Sequence, residues 1–315
     1  MTETLHPTPR RLSPAGFTLI ELMLSMTILL VVMAGVTEGV MRMSKGNRTV
    51  ANRAGMHAGV RNATELLQQE VGQAGRIALP GTVTTSAAVA PGVATVTLAS
   101  TAAGATTSGM FVGERLAVDL GDLKEVVTVT AINGNQITAT FANAHAAGVR
   151  VNPTGGFASG VVPTTMADGS TGTVLKILGD INDDGNMVYV EYRCDFDAGL
   201  LYRNSMAFDA GLKPAVTVEQ VLFDNIEPNP GDDPDCFQYQ EKTVVGATYV
   251  IGVAITLTVR TANADATSLL RQRETKALLN VSPRNVFNVW QMASLNQSEY
   301  VQPMPPATAA LLADE

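Results

Sequence analysis

The chain has 315 residues, enough for one large or two medium domains with a substantial core. Hydrophobic residues make up 46% and charged residues 16%, the balance of a folded protein rather than a disordered one. Three His and two Cys argue against a zinc-cluster fold, and 29 acidic against 21 basic residues (net −8) disfavour a phosphate-seeking surface, so no nucleic-acid partner is expected.

Residues 1–15 are polar and broken by proline, with Arg10 and Arg11 ahead of an apolar run. Over residues 17–37 there is one charge, Glu21. As a helix rising about 1.5 Å per residue, that run covers roughly 31 Å, the thickness of a bilayer core. The arginine pair holds the N-terminal side in the cytoplasm and sends the body across the membrane. A cleavable secretory signal has an apolar region of roughly 7 to 15 residues and a small-residue cut site. This run is longer, and no such site closes it. A plain anchor fits the length but leaves Glu21 unexplained. A carboxylate inside a membrane helix costs about 2.5–3.5 kcal/mol on insertion scales and marks a functional site.

The string Gly16-Phe17-Thr18-Leu19-Ile20-Glu21 resembles the processing signature of type IV pilins and pseudopilins. The resemblance implies that residues 1–16 are a leader. A prepilin peptidase would cut between Gly16 and Phe17 and methylate the new amine of Phe17. Glu21 would then be the fifth residue of the mature chain. The physics suits that role, because a neighbouring subunit's amine about 4 Å from Glu21 is strongly attracted in a low-dielectric surrounding. The implied fold is α+β. A long N-terminal helix, membrane-spanning over 17–41 and amphipathic over 42–78, packs on an antiparallel sheet.

In the second half of that helix, Val50, Ala54, His57, Val60, Ala63, Leu67, Val71 and Ala74 recur at steps of three or four and share a face. Pro80-Gly81 ends it. His57 reads as a packed histidine. The segment over 65–75, with its paired leucines, acidic residues and terminal Ala-Gly, resembles the helix end of PilW-like minor pilins.

Residues 82–160 read as an inserted β module of low charge. Strands are expected at 95–99, 115–119, 125–132 and 136–141, with Asn133-Gly134 as a type I′ hairpin signal. Residues 161–300 read as the main sheet domain, with strands at 173–178, 187–194, 200–203, 217–224 and 248–260. A charged stretch (Arg271, Arg273, Glu274, Lys276) leads to Pro283-Arg284-Asn285, which again resembles PilW-like chains. Residues 301–315 read as a flexible tail.

Asp180-x-Asn182-x-Asp184-Gly185-x5-Glu191 satisfies the EF-hand loop pattern, but β-like flanks replace the bracketing helices. On an extended strand Glu191 lies roughly 20 Å from Gly185. Two readings stay open: a loop calcium site of Asp180, Asn182, Asp184 and Asn186, or a turn rich in Asx residues. Cys194 and Cys236 are a disulfide pair if the body lies in an oxidising compartment, and otherwise two thiols. No nucleophile–base pair emerges, so no enzyme is expected, and calcium is the one cofactor in view.

The resemblance implies a minor type IV pilin, PilW-like, acting in priming or in a tip complex. Its sister reading is a J-type pseudopilin of type II secretion, and an adhesive or calcium-binding membrane-anchored module is the reading from another class. The implied partners are other minor and major pilins or pseudopilins, the prepilin peptidase and the inner membrane. The body would be periplasmic before assembly and reach the cell surface in the filament.

Overall fold

A computed structural model describes residues 16–313, except 216, 218–219, 233 and 266–268. Its first element, α1 (Leu19–Gln73), is a single helix of 55 residues. Thr18 starts it through a capping box: the Glu21 amide donates to the Thr18 hydroxyl while the Glu21 carboxylate accepts from the Thr18 amide. Residues up to Gly55 are almost all exposed, and a Cβ added at Gly35, Gly39, Gly46 or Gly55 would meet nothing. About 55 Å of helix therefore stands clear of the body. Burial begins at Met56 and continues through Val60, Ala63, Leu67 and Val71, spaced to keep one stripe inward.

That stripe starts later than the periodicity predicts. Val50 is exposed, and His57 is half-exposed beside the stripe, its Nδ1 2.6 Å from Glu274 Oε2. The packed-histidine reading is corrected to a surface pair, because the sheet reaches only the last five turns of the helix. At Gly59 a Cβ would sit 2.1 Å from the Phe223 ring, so glycine there is what admits the aromatic to the helix.

After α1 come β1 (Val83–Thr85), β2 (Gly92–Ser100), β3 (Arg115–Val118), β4 (Glu125–Thr128), β5 (Ala131–Asn133), β6 (Gln136–Phe141) and β7 (Arg150–Pro153). They form a seven-stranded antiparallel sheet ordered β4-β3-β7-β1-β2-β6-β5, with its own core of Val96, Leu98, Leu116, Val118, Ile137 and Val151. The module thus closes at Pro153. β8 (Gly156–Phe157) already belongs to the body, where it pairs with β17 (Val301–Gln302). The β5–β6 hairpin exists, but Asn133 pairs with Gln136, so its loop is Gly134-Asn135. Only Gly134 has positive φ (59°), which fits the II′ pattern rather than I′.

The body holds two further sheets. One is β9 (Val174–Gly179), β10 (Val188–Asp195), β11 (Leu200–Ala207) and β12 (Val221–Asp224), antiparallel in the order β12-β11-β10-β9. The other is built on β15 (Ala247–Arg260), with β16 (Arg273–Val281), β14 (Phe237–Val244) and the short β13 (Ile226–Glu227) antiparallel to it. Both face the stripe of α1: Leu175, Ile177, Val190 and Tyr192 come from the first, and Val250, Val253, Ile255, Leu257 and Val259 from the second.

Two segments depart from expectation. Residues 284–294 form α2 (Arg284–Ser294), whose Val286, Val289 and Ala293 cover Tyr249. The closing segment is packed rather than flexible as far as Leu312. Its short helix α3 (Pro306–Leu311) and Leu312 bury against Val162, Tyr189 and Met206, and the Leu312 carbonyl accepts from Lys176 Nζ at 2.8 Å. Leucines ending an otherwise small-residue tail give it apolar surface to bury.

Candidate functional site

The N-terminal end of α1 combines an apolar surface with one carboxylate. Phe17 is 86% exposed, and Leu19, Ile20, Leu22, Met23, Leu24 and Met26 are exposed with it. An 18-residue window of the helix has a mean hydropathy of 2.4 and is nowhere buried in the chain's own body. Such a surface is stable only in lipid or against other helices. Within it Glu21 turns back to the helix start, its Oε2 accepting from the Thr18 amide (3.1 Å) and hydroxyl (3.0 Å). The negative group thereby lies over the positive end of the helix macrodipole. A cationic group approaching the first turn meets that charge without any rearrangement of the backbone. Gly16 and Phe17 precede the first turn as an exposed, non-helical stretch.

At the other end, the helix is held by a buried acid, Glu70. Glu70 is 3% exposed. It accepts from the Tyr192 hydroxyl at 2.5 Å and from Arg203 Nη2 at 2.5 Å and Nε at 3.1 Å. Burial and the Glu70 charge push the Tyr192 hydroxyl far above its ordinary range. Burial alone would lower the Arg203 guanidinium, but its bonds to Glu70 outweigh that and hold it charged. The signal for Glu70 was its position between Leu67 and Ala74, at the edge of the apolar stripe.

Beyond Gln73 the chain leaves the helix at Gly75, whose φ of +85° suits glycine. Its amide donates to the Leu178 carbonyl (2.8 Å) and its carbonyl accepts from Phe157 (2.9 Å). The Asn285 side-chain amide donates to the carbonyl of Gln73 at 3.0 Å, satisfying a helix-end acceptor. The Ala74-Gly75 and Pro283-Arg284-Asn285 segments, distant in sequence, therefore meet.

Cys194 and Cys236 are joined as a disulfide with Cα atoms 6.7 Å apart, tying the end of β10 to the approach of β14 and so one body sheet to the other. Their separation of 42 residues corresponds to about 4 kcal/mol in the chain-entropy account.

In the acidic turn, Asp180 is fully buried and accepts from the amides of Asp184 (3.1 Å) and Gly185 (3.3 Å). Arg76 faces it, with Nε 3.6 Å from Oδ2, and also pairs with Asp183. Asp184 accepts from the Asn186 amide, and Asn182 and Asn186 are exposed. Asp180 and Asp184 thus make Asx-turn contacts, and a guanidinium faces the one buried carboxylate. Glu191 belongs elsewhere: it is buried on β10, accepting from Lys213 Nζ and the Tyr189 hydroxyl, each at 2.9 Å.

The inserted module carries one further charged cluster. His145 is buried with Nδ1 3.1 Å from Asp119 Oδ2 and Nε2 2.6 Å from Glu125 Oε1. Burial alone would lower its pKa, but the bonds and charges of Glu125 and Asp119 raise it. The bond from His145 lowers Asp119. Burial opposes ionisation of Glu125, yet His145 and the amides of Ala142 and Asn143 lower it too. With both ring nitrogens engaged, the imidazolium is a clamp rather than a base. Its stabilisation is complete below the unfolded histidine value of about 6.5 and is lost as pH rises through the higher folded value. The carboxylates' share is present above about pH 4 and lost as pH falls through their lowered folded values. Melting of the full chain in detergent micelles should therefore show a module transition highest at about pH 5–6.5. His145→Asn should remove the alkaline decline, and a decline unchanged by that substitution would refute the clamp.

The chain is an α+β protein whose apolar half of α1 is long and apolar enough to cross a membrane, which is consistent with a membrane anchor. The family model for the prokaryotic N-terminal methylation motif matches residues 12–37, which include Gly16, Phe17 and Glu21, so the chain carries a type IV pilin-like signal. No curated protein and no solved structure matches the chain.

Proposed function

We propose that the chain is a minor type IV pilin of the PilW-like kind, working in priming or at the tip of the filament. Prepilin peptidase cuts it between Gly16 and Phe17 and methylates Phe17. The carrying observation is the clear-standing apolar helix with Glu21 at its head, inside the matched motif. A helix whose apolar surface finds no cover among the described residues is suited to lateral packing among like helices after it leaves the bilayer. In that bundle the Glu21 carboxylate meets the methylated amine of a neighbour and fixes the axial register.

The Ala74-Gly75 junction, capped by Asn285, supports the PilW-like reading, since the two resembling segments form one structural unit. The bulk of the body supports a minor or tip position, because the seven-stranded module would obstruct close packing along a shaft. Partners are then other minor and major pilins. Fibres sheared from cells test the proposal: the chain should be found in them, and should be missing from the surface fraction of cells lacking prepilin peptidase. Its absence from sheared pili, with loss of type II secretion on deletion, would transfer it to the J-type pseudopilins.

A further inference from the structure

In the first body sheet, Val190 and Tyr192 face α1, so Glu191 between them faces the other way. On that outer face Lys176 of β9, Glu191 of β10 and Asn204 of β11 stand in a row across the strands. Glu191 and Asn204 are directly opposed, which sets their Cβ atoms about 4.5–5.5 Å apart. Both are buried, at 5% and 2% exposure. The chain beyond β11 folds back over them. Lys213 brings Nζ to 2.9 Å from Glu191 Oε2, and its side chain is only 11% exposed. The carbonyl of the next residue, Pro214, accepts from Asn204 Nδ2 at 2.9 Å. Gln220 Nε2 donates to Asn204 Oδ1 at 2.8 Å. Lys176, the other amine in the row, is turned aside, its Nζ donating to the carbonyls of Asp168 (3.0 Å) and Leu312 (2.8 Å).

An amine, a carboxylate and a carboxamide are therefore gathered largely out of water. Burial disfavours both charges of the Lys213–Glu191 pair, so transfer of a proton from Nζ to the carboxylate is eased there. The neutral amine that results is a nucleophile, and rotation of the lysine side chain carries it from Glu191 toward Asn204 Cγ. Gln220 already bonds Oδ1, where negative charge would develop during attack. The Pro214 carbonyl orients the nitrogen that would leave. Well-oriented intramolecular reactions reach effective molarities of about 10⁵–10⁸ M, and burial keeps out the competing water.

We propose that Lys213 and Asn204 join in an intramolecular isopeptide bond, with Glu191 as the proton carrier. Glu191 takes one proton from the Lys213 ammonium, and the amine attacks Cγ. The Nζ–Cγ bond forms as the Cγ–Nδ2 bond breaks. Glu191 gives its proton to Nδ2 and takes a second from Nζ, so ammonia leaves and the carboxyl ends protonated. No oxidant or other reactant is consumed. The product replaces a buried ion pair by a neutral amide and pins the segment after β11 to the sheet. The site is independent of the filament assignment, since none of its residues belongs to α1.

Mass spectrometry of the full chain extracted in detergent tests the proposal. The intact protein should be lighter by one ammonia than its sequence, disulfide and processed ends require. After reduction and digestion, the deficit should lie in a peptide that yields no backbone fragments between residues 204 and 213. Lys213→Arg keeps the cation but lacks the nucleophile, and Glu191→Gln keeps the shape but lacks the base. Both should regain the full mass, and melting curves check that they fold. The wild-type peptide map alone decides the matter if neither variant folds. A wild-type chain of full mass, a deficit mapped elsewhere (at Asn133-Gly134, for example), or one that persists in folded Lys213→Arg would overturn the proposal.

Discussion

Glu21→Ala should leave a protein that inserts in the membrane and folds normally but is scarcely incorporated into filaments. The body keeps its stability because the hydrogen bonds of Glu21 among the described residues are with Thr18, on a part of α1 remote from the core. Loss of its capping contact costs the helix about 1 kcal/mol at an end that is exposed among the described residues. Removing a carboxylate also makes insertion easier by about 2.5–3.5 kcal/mol on insertion scales. Assembly is different, because each missing carboxylate leaves a neighbour's cationic amine uncompensated in a low-dielectric bundle. Glu21→Gln separates charge from shape, since it retains the side-chain size and a carbonyl acceptor. It should assemble nearly as poorly as Ala. Pull-down with the other minor subunits reads the effect, and normal recovery of both variants would remove Glu21 from the assembly mechanism.

Glu70→Ala carries the largest expected cost to the body. It deprives Arg203 and the Tyr192 hydroxyl of their shared partner at the seat of the helix. Removing one member of a buried pair strands the other charge, and Arg203 keeps partial access to solvent, so about 3 kcal/mol is expected. For a body of this size that lowers the melting temperature by roughly 6–12 °C. Glu70→Gln, which keeps an acceptor for Tyr192, should fall between. Replacing all three members, Glu70→Leu with Arg203→Met and Tyr192→Phe, should recover most of the loss, because apolar residues then replace the buried polar cluster with no donor left unpaired. A thermal melt in which Glu70→Ala matches the wild-type would show that the apolar stripe alone seats the helix.

The elements that could be read from the chain are those with strong and simple patterns. The unbroken apolar run and the Thr18–Glu21 spacing specify both the exposed helix and its cap. Alternating or continuous β-branched residues mark β9, β10 and β15. The misses have physical causes. In β16 the apparent surface charges Arg273 and Glu274 are at home on a partly exposed strand that contributes its backbone to β15, and Glu274 meets His57 there. β14 places Gln, Glu, Lys and Thr on a solvent-facing hairpin, so its apolar signal is thin. The inward face of α2 is spread over only Val286, Val289 and Ala293.

Buried polar centres were the least legible. Glu70, His145 and Gln302 each look like surface residues in a hydropathy profile. What retains them inside is a partner far away in sequence: Arg203, the Asp119–Glu125 pair, and the backbone of Arg115. The acidic turn illustrates the reverse problem. There Arg76, contributed by the chain just after α1, pairs with Asp180 and Asp183, a contact that the spacing of the loop does not disclose. A local motif does not reveal a cation brought from another element.

The central claim is that Gly16, Phe17 and Glu21 form a processed assembly head rather than the start of a simple anchor. Mass spectrometry of the protein extracted from membranes tests it most directly. The expected chain begins at Phe17, carries one methyl group on its terminal amine, and lacks all residues of the leader. A chain retaining Met1, or one cut at any other bond, would contradict the account.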